Sequence, residues 1–451
     1  MTLVRLLALR PALRRAHLPA RARLCRLALL SFRRLQRAYR GCSPRVVNAW
    51  ASRRWTLPER PGLGGELCMK LARLLNATCV LAVAGLTISP TSAAEATGPG
   101  LYVGAGGALM KNGQPFRAFG VNYITVFTDA LEKPGDTSYE EGLQALAAHE
   151  IPVARIFGAP FWPAQMKVYF DDRRRYFQVF DAVLAAAERH GIALIPSLFW
   201  NMHTVPDLVG EPCDQWGNPD SKTHAFMREY VREVVTRYLD SPAIAGWEFG
   251  NEYNLAADLP NAAEHRPPII PVLGTPATRS ERDELTHEMV RTAIREFARE
   301  VRKYDPHRII SSGNAFPRPS AWHQMHELSW TEDTPEQYAE MLLGDNPDPV
   351  DVISVHAYGD YRRLGPTIEI ARRAGKPLFV GEFGVEGTSE DTRAKFAEML
   401  SYMESLGVPL ACLWVYRYPN QGDTWNVTAD NARSYMLGAL RDANRRMRTA
   451  Q

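Results

Sequence analysis

The chain has 451 residues, with 53 Lys and Arg against 50 Asp and Glu, for a formal net charge of +3. That average joins two unlike parts: residues 1–68 carry 15 Arg, no Lys and two acids, Glu59 and Glu66, whereas 69–451 hold 38 basic and 48 acidic residues. An acidic body of this kind argues against a nucleic-acid partner.

The Arg-rich head admits three readings: an organellar targeting peptide, a basic arm for nucleic acid or membrane, or a stretch that precedes the true start and is not translated. The segment that follows favours the last. Met69-Lys70-Leu71-Ala72-Arg73 is a short positive run, Leu74 to Ile88 is apolar, and Ser92-Ala93-Ala94 and Ala94-Glu95-Ala96 are small-residue cleavage sites. Together they make a secretory signal over 69–96 that starts at an internal methionine. Its apolar run is too short for a good membrane span, and Asn76 and Thr78 interrupt it. The expectation is export, to the medium or the periplasm, with no stable membrane anchor after cleavage. Of six cysteines, only Cys213 and Cys412 lie beyond this region. They suit one disulfide in an oxidising compartment or two separate thiols.

Residues 97–451 then form one long domain. Ala108 to Phe116 reads as a hairpin with an Asn112-Gly113 turn, after a loose Gly-rich stretch from Thr97 to Gly107. The hairpin leads into the first of eight predicted strands and is placed to plug a barrel bottom. The strands are Phe116–Ile124, Val153–Gly158, Ala193–Phe199, Ile244–Glu252, Arg308–Gly313, Val352–Gly359, Leu378–Gly384 and Leu410–Tyr416. Helical spacing of apolar residues predicts helices over Tyr139–His149, Phe177–His190, Ala225–Leu239, Leu285–Tyr304, Pro335–Leu343, Thr367–Ala374, Thr392–Leu406 and Asn431–Arg446. Gly191 and Gly407 stand where two of them must stop. Eight βα units predict an α/β fold, a closed (β/α)₈ TIM barrel. Helix-to-strand connections are short, whereas strand-to-helix connections such as 201–223, 253–284 and 314–334 are long. That asymmetry places a cleft on the strand C-terminal face. Seven of the body's eight tryptophans, Trp162, Trp200, Trp216, Trp322, Trp330, Trp414 and Trp425, fall on that side, as platforms for sugar rings would.

Alternation along strands sorts the chemistry. Glu248, Gly250 and Glu252 share one face; Leu378, Val380 and Glu382 share another; Arg155 goes with Val153, His356 with Tyr358, and Trp414 with Cys412. If these faces are the barrel interior, two glutamates, an arginine, a histidine, a tyrosine and a tryptophan converge at one rim. By the same rule Asn251 points outward unless the strand end twists or bulges. Glu248, lower in the barrel, needs a hydrogen-bonding partner and reads as structural. His323 and His326 lack a clear third ligand, so no metal site is expected.

Trp-Glu-Phe-Gly-Asn-Glu at 247–252, His-Ala-Tyr at 356–358 and Gly-Glu-Phe-Gly at 381–384 resemble the retaining (β/α)₈ glycoside hydrolases, and within that clan the cellulase-like family 5. Arg155 and Trp414 match the family's arginine on the second strand and its platform on the eighth. The resemblance implies Glu382 as nucleophile and Glu252 as acid/base, with Glu382's charge raising the Glu252 pKa. It implies Asn251 on the sugar 2-hydroxyl, and His356 and Tyr358 orienting sugar and carboxylates. After the third strand the family usually carries a His-x-x-Asn-like element; this chain has Trp200-Asn201-Met202-His203, and Trp200 and Asn201 are placed among the substrate-binding residues. The implied partner is a carbohydrate, mannan or glucan, with the Trp-Glu-x-x-Asn-Glu context leaning to an endo-β-mannanase. Cellulase action, exo-acting β-mannosidase or β-glucosidase action, and a barrel that binds glycans without cutting them are the rivals. No cofactor is implied, and a monomer is expected.

Overall fold

A computed structural model describes residues 98–449. The untranslated-leader and signal-peptide readings at 1–68 and 69–96 lie outside the described residues. The chain enters through a three-stranded antiparallel sheet, β1 (Leu101–Val103), β2 (Leu109–Lys111) and β3 (Gln114–Pro115). Asn112 and Gly113 turn the β2–β3 hairpin with φ of 52° and 76°, the left-handed pair that a two-residue turn demands. The stretch before it is less loose than its glycines suggest, because β1 pairs along β2.

Eight parallel strands follow: β4 (Ala118–Asn122), β5 (Val153–Phe157), β6 (Ala193–Ser197), β7 (Gly246–Glu248), β8 (Ile309–Ser311), β9 (Ile353–Ala357), β10 (Leu378–Phe383) and β11 (Leu410–Leu413). Their order is β8-β7-β6-β5-β4-β11-β10-β9. The seam between β8 and β9 is drawn together by Asp351 N–H donating to Ile310 O (3.0 Å). The result is a nearly closed TIM barrel. All eight predicted strands are present, each shorter at its C-terminal end than its sequence pattern, because the rim residues leave the ladder to build the site.

Eight helices cross back outside: α1 (Ser138–Ala148), α2 (Arg173–His190), α3 (Lys222–Arg237), α4 (His287–Tyr304), α5 (Pro335–Gly344), α6 (Leu364–Arg373), α7 (Glu390–Leu406) and α8 (Tyr435–Thr449). Local chemistry sets their ends. Ser221, Thr286, Thr334 and Ser389 accept a backbone N–H in the first turn of α3, α4, α5 and α7. Gly191 and Gly407 end α2 and α7 in the left-handed conformation, as predicted. Shorter helices, Val126–Glu132, Pro163–Asp171, Thr204–Val209 and Ala321–Glu327, sit in the strand-to-helix connections. They are too brief for periodicity to reveal. Among the described residues no helix is long and apolar enough to cross a membrane.

The core has three layers. Outward strand residues such as Ile156, Trp247 and Val380 pack with helix residues such as Leu143, Val231 and Phe297. Each such side chain contributes about 1.5–3 kcal/mol by leaving water. Inside the lower barrel, Val153, Ile195, Ala245, Ile309, Phe379 and Cys412 close around Leu101 and Leu109 of the entry sheet, which plugs the bottom. At the top, Ile124, Phe157, Trp200 and Val415 form a small aromatic-rich cluster. Cys213 and Cys412 are both buried free thiols, which removes the disulfide alternative.

Candidate active site

Arg155, in the middle of β5, is the hub of the barrel top and is fully buried. Its guanidinium spends its donors on four partners. Nε donates to Glu248 Oε1 (2.6 Å), Nη1 to Glu382 Oε1 (2.8 Å) and Asn122 Oδ1 (3.2 Å), and Nη2 to Asn251 Oδ1 (2.8 Å). Its face lies 4.1 Å from the Trp200 ring. Burial pulls the Arg155 pKa down, but Glu248 and Glu382 outweigh burial and leave it above its ordinary value. The cation is therefore permanent, and it is matched to carboxylates by the planar fork that only arginine offers.

Glu382 reaches this hub through a bulge. The pairing of β10 with β9 and β11 shifts after Val380. Phe379 packs inside the barrel while Leu378 and Val380 pack against the helices. The expected shared face of Leu378, Val380 and Glu382 is thus wrong: one extra residue, Gly381, changes the parity and brings Glu382 inward. A side chain at Gly381 would stand 2.8 Å from His356 Nε2, so the bulge residue has room only for hydrogen.

Asn251 and Glu252 also break strict alternation. β7 is regular only to Glu248, after which the backbone follows the β8 edge: Phe249 N–H donates to Ser311 O (3.0 Å) and Glu252 N–H to Gly313 O (2.9 Å). Glu252 adopts φ 54°. This turn brings Asn251, predicted to face outward, onto Arg155. Gly313, at φ 72°, makes the path possible, since a Cβ there would lie 1.9 Å from Gly250 O. Gly313→Ala is expected to destabilise the protein by more than about 1 kcal/mol. It should also cut turnover, because relief of the clash displaces the segment that carries Glu252. Thermal melts and kcat measured together check this, and a variant with normal values for both would refute it.

One imidazole and one phenol complete the constellation. His356 Nδ1 lies 2.8 Å from Glu252 Oε1 and 3.5 Å from Glu382 Oε2. Burial lowers the His356 pKa to about 4, so the ring is neutral in ordinary buffers and offers one N–H toward the carboxylates. Tyr358 Oη donates to Glu382 Oε2 (2.6 Å), and burial followed by Glu382 pushes its own pKa far above the usual phenol value. Glu382 thus has an arginine on one oxygen and a tyrosine on the other. Glu252, with 31% of its side chain open to solvent, has its pKa raised, and the cause is desolvation, not the Glu382 charge. Oxygens of the two carboxylates and a His356 nitrogen all lie within 4.8 Å of one another. A cation there would compete with Arg155 and Tyr358, which already occupy both Glu382 oxygens.

Two cavities lie near the pair, one bordering Glu252 and the other bordering Tyr358. One, of about 360 Å³, is lined by Trp200, Asn201, Asn251, Glu252, Leu255 and Leu259. The other, of about 650 Å³, is lined by Tyr358, Tyr361, Val385, Met399, Trp414 and Trp425. Trp200 and Trp414 stack across the site with centroids 6.2 Å apart and planes 24° apart, and Trp414 Nε1 donates to Gln421 Oε1 (2.8 Å). Of the predicted platforms, Trp216 is instead a core residue, fully buried against Phe249 and Tyr253. Arg155, Asn251, Glu252, His356, Tyr358, Glu382, Trp200, Asn201 and Trp414 all line one site. The sequence reading missed Asn122 and under-used Glu248. Asn122 Nδ2 donates to Gly381 O (2.9 Å) and Cys412 O (3.2 Å), tying the bulge to β11. Glu248 receives Ser311 Oγ–H (3.0 Å) as well as Arg155. A buried asparagine ending the run Phe119-Gly120-Val121-Asn122 was the available signal.

Comparison with known proteins agrees with this geometry. The family model Cellulase (glycosyl hydrolase family 5) matches residues 113–419. Over 146 residues the chain is 31% identical to "Probable mannan endo-1,4-beta-mannosidase C" of Aspergillus terreus; that stretch is 30% of this chain and 31% of the relative, under a third of its length. Among solved structures, an endo-1,4-beta-mannanase from Rhizomucor miehei is 16% identical, covering 77% of this chain and 99% of its own, with a TM-score of 0.57. A glycoside hydrolase family 5 mannosidase from the same organism is 12% identical, covering 78% and 99%, with a TM-score of 0.56. At these identities the two structures establish a common fold.

Proposed function

The chain belongs to glycosyl hydrolase family 5; from that premise we propose that it is a glycoside hydrolase, a retaining β-1,4-mannanase with Glu382 the nucleophile and Glu252 the acid/base. The observation that carries the mechanism is the pair itself: two carboxyl groups with oxygens within 4.8 Å, in opposite environments. Retaining enzymes hold their carboxyls about 5–5.5 Å apart, too close to seat a water between sugar and base. Arg155 and Tyr358 stabilise Glu382 as an anion ready to attack the anomeric carbon. Glu252, its pKa raised by desolvation, keeps its proton for the departing oxygen. As the Glu382 oxygen bonds to the anomeric carbon and the glycosidic bond breaks, Glu252 passes that proton to the departing sugar oxygen; with Glu382 esterified, Glu252 takes a proton from the water that attacks the same carbon and frees the Glu382 carboxylate. Arg155 occupies Asn251 Oδ1, which leaves the Nδ2 hydrogens to donate to the 2-hydroxyl, a contact that tightens toward the transition state.

The relatives that carry the name mannan endo-1,4-beta-mannosidase support mannan over glucan as substrate. A cavity bordering Glu252 and a second one beyond Tyr358, walled by Trp414 and Trp425, support internal cleavage of a chain over removal of single terminal sugars. Export by the signal at 69–96, with action as a monomer in the medium or periplasm, completes the reading.

The test is activity on mannan, carboxymethyl-cellulose, xylan and aryl β-mannoside for wild type beside Glu252→Ala. Wild type should release mannooligosaccharides of mixed length from mannan. Glu252→Ala should keep its glycosylation step on an activated aryl β-mannoside, stall at the glycosyl-enzyme, and recover with azide to give the β-mannosyl azide. The alkaline limb of kcat/KM in the wild type should lie above the ordinary carboxylate range, because the folded protein holds Glu252 protonated to higher pH. Mannose as sole product would favour the exo-acting rival, and an unimpaired Glu252→Ala would overturn the assignment of the acid/base.

A further inference from the structure

Asn201 is held by a chain of buried groups that the steps above do not use. His203 Nδ1 lies 2.9 Å from Asp207 Oδ2. Asp207, whose side chain is fully buried, also receives both Arg279 Nη groups, at 2.7 Å on Oδ1 and 2.8 Å on Oδ2. A carboxylate paired in this way only accepts, so the imidazole proton belongs on Nδ1. When the ring carries that one proton, Nε2 is an acceptor, and the group 3.0 Å from it, the Asn201 side-chain amide, offers an N–H. Phe161 O, at 3.4 Å, takes the other hydrogen of Asn201 Nδ2. The amide's orientation follows from the histidine's chemistry, and Oδ1 is the polar atom left for the cavity of about 360 Å³. Among the described residues nothing donates to that oxygen.

We propose that Asp207 and His203 are positioning residues that set Asn201 as a hydrogen-bond acceptor for a hydroxyl of the leaving sugar. Arg279 ties the device to the 253–284 loop, whose Leu255 and Leu259 line the same cavity. The inference rests on the retaining mannanase reading. The cavity borders Glu252, which protonates the departing oxygen, so the sugar it holds is the one that leaves. In the second half-reaction the same cavity holds a sugar acceptor. Glu252 takes the acceptor's hydroxyl proton, the acceptor oxygen bonds to the anomeric carbon, and the bond to the Glu382 carboxylate breaks.

The experiment is a partition ratio. The enzyme is given aryl β-mannoside as donor and mannobiose as acceptor, and transfer product is measured against free mannose. Both routes from the glycosyl-enzyme use Glu252 and Glu382, so damage to that pair cancels in the ratio, whereas loss of the acceptor site does not. His203→Ala and Asn201→Ala should each lower the ratio of transfer to hydrolysis about fivefold, the worth of one ordinary hydrogen bond. The double variant should lower it no further, and His203→Gln, which keeps an acceptor near the Nε2 position, should regain most of it. Should His203→Ala fail to fold, Asn201→Ala, which alters a half-buried side chain, decides alone. An unchanged ratio in Asn201→Ala, or a wild type that forms no transfer product at any mannobiose concentration, would overturn the proposal. A wild type that cleaves no aryl mannoside and no mannan would overturn the mannanase reading, and this inference with it.

Discussion

Glu382→Ala is expected to lower kcat on mannan by roughly 10⁴-fold or more, the scale on which loss of a covalent nucleophile is felt. That corresponds to about 5.5 kcal/mol of barrier. The fold should hardly notice. Arg155 keeps Glu248 as a buried partner at 2.6 Å, so no cation is stranded, and the crowding of two carboxylates on His356 Nδ1 is relieved. The melting temperature should therefore match or exceed that of the wild type. Azide, small enough for the space left by the carboxylate, should rescue the variant on an activated aryl mannoside and give the α-mannosyl azide, because attack then comes from the nucleophile's side with a single inversion. The opposite anomer is expected from Glu252→Ala, where the glycosyl-enzyme still forms. NMR of the two azide products separates the roles. Substantial residual activity in Glu382→Ala, or the same anomer from both variants, would show that the nucleophile has been misplaced.

Much of this site is legible in the sequence, because the barrel repeats one simple unit. Each strand is an apolar run, each rim residue a polar one, and period two assigns Arg155, His356 and Cys412 to the interior correctly. The failures are local and share a cause. Alternation assumes a regular ladder, and the ladder is irregular where the chemistry sits. Gly381 inserts one residue into β10, and the backbone beyond Glu248 follows the β8 edge instead of continuing β7. Both departures require glycine, at 381 for space and at 313 for a positive φ. Neither reads as more than a loop-prone residue in the sequence. The function of the long connections was legible only in outline. Trp216 and Trp200 both lie after the third strand, yet one is core and the other a wall of the cleft, because the short helix Thr204–Val209 between them redirects the chain.

The charge balance beneath the site gives the second large effect. Arg155→Ala is expected to abolish activity and to destabilise the protein by about 3–5 kcal/mol, the usual cost of leaving buried carboxylates without their cation. For a domain of this size that is a fall in Tm of roughly 4–7 °C. The loss is electrostatic more than steric: Glu248 is buried and would retain only the Ser311 hydroxyl, and Glu382 only Tyr358 and the distant edge of His356. Two consequences distinguish this from a simple cavity. Buried carboxylates that have lost their cation are costly only while charged, so the penalty is full where they are ionised and shrinks as acid protonates them. The gap in Tm between wild type and Arg155→Ala should therefore narrow toward acid. Adding Glu248→Gln to Arg155→Ala should recover a large part of the stability, because it removes one of the stranded charges. It should recover none of the activity, because Glu382 and Asn251 still lack the group that orients them. A Tm deficit that is constant with pH and indifferent to Glu248→Gln would assign Arg155 a packing role, through its contact with the Trp200 ring, in place of the electrostatic one argued from its four hydrogen bonds.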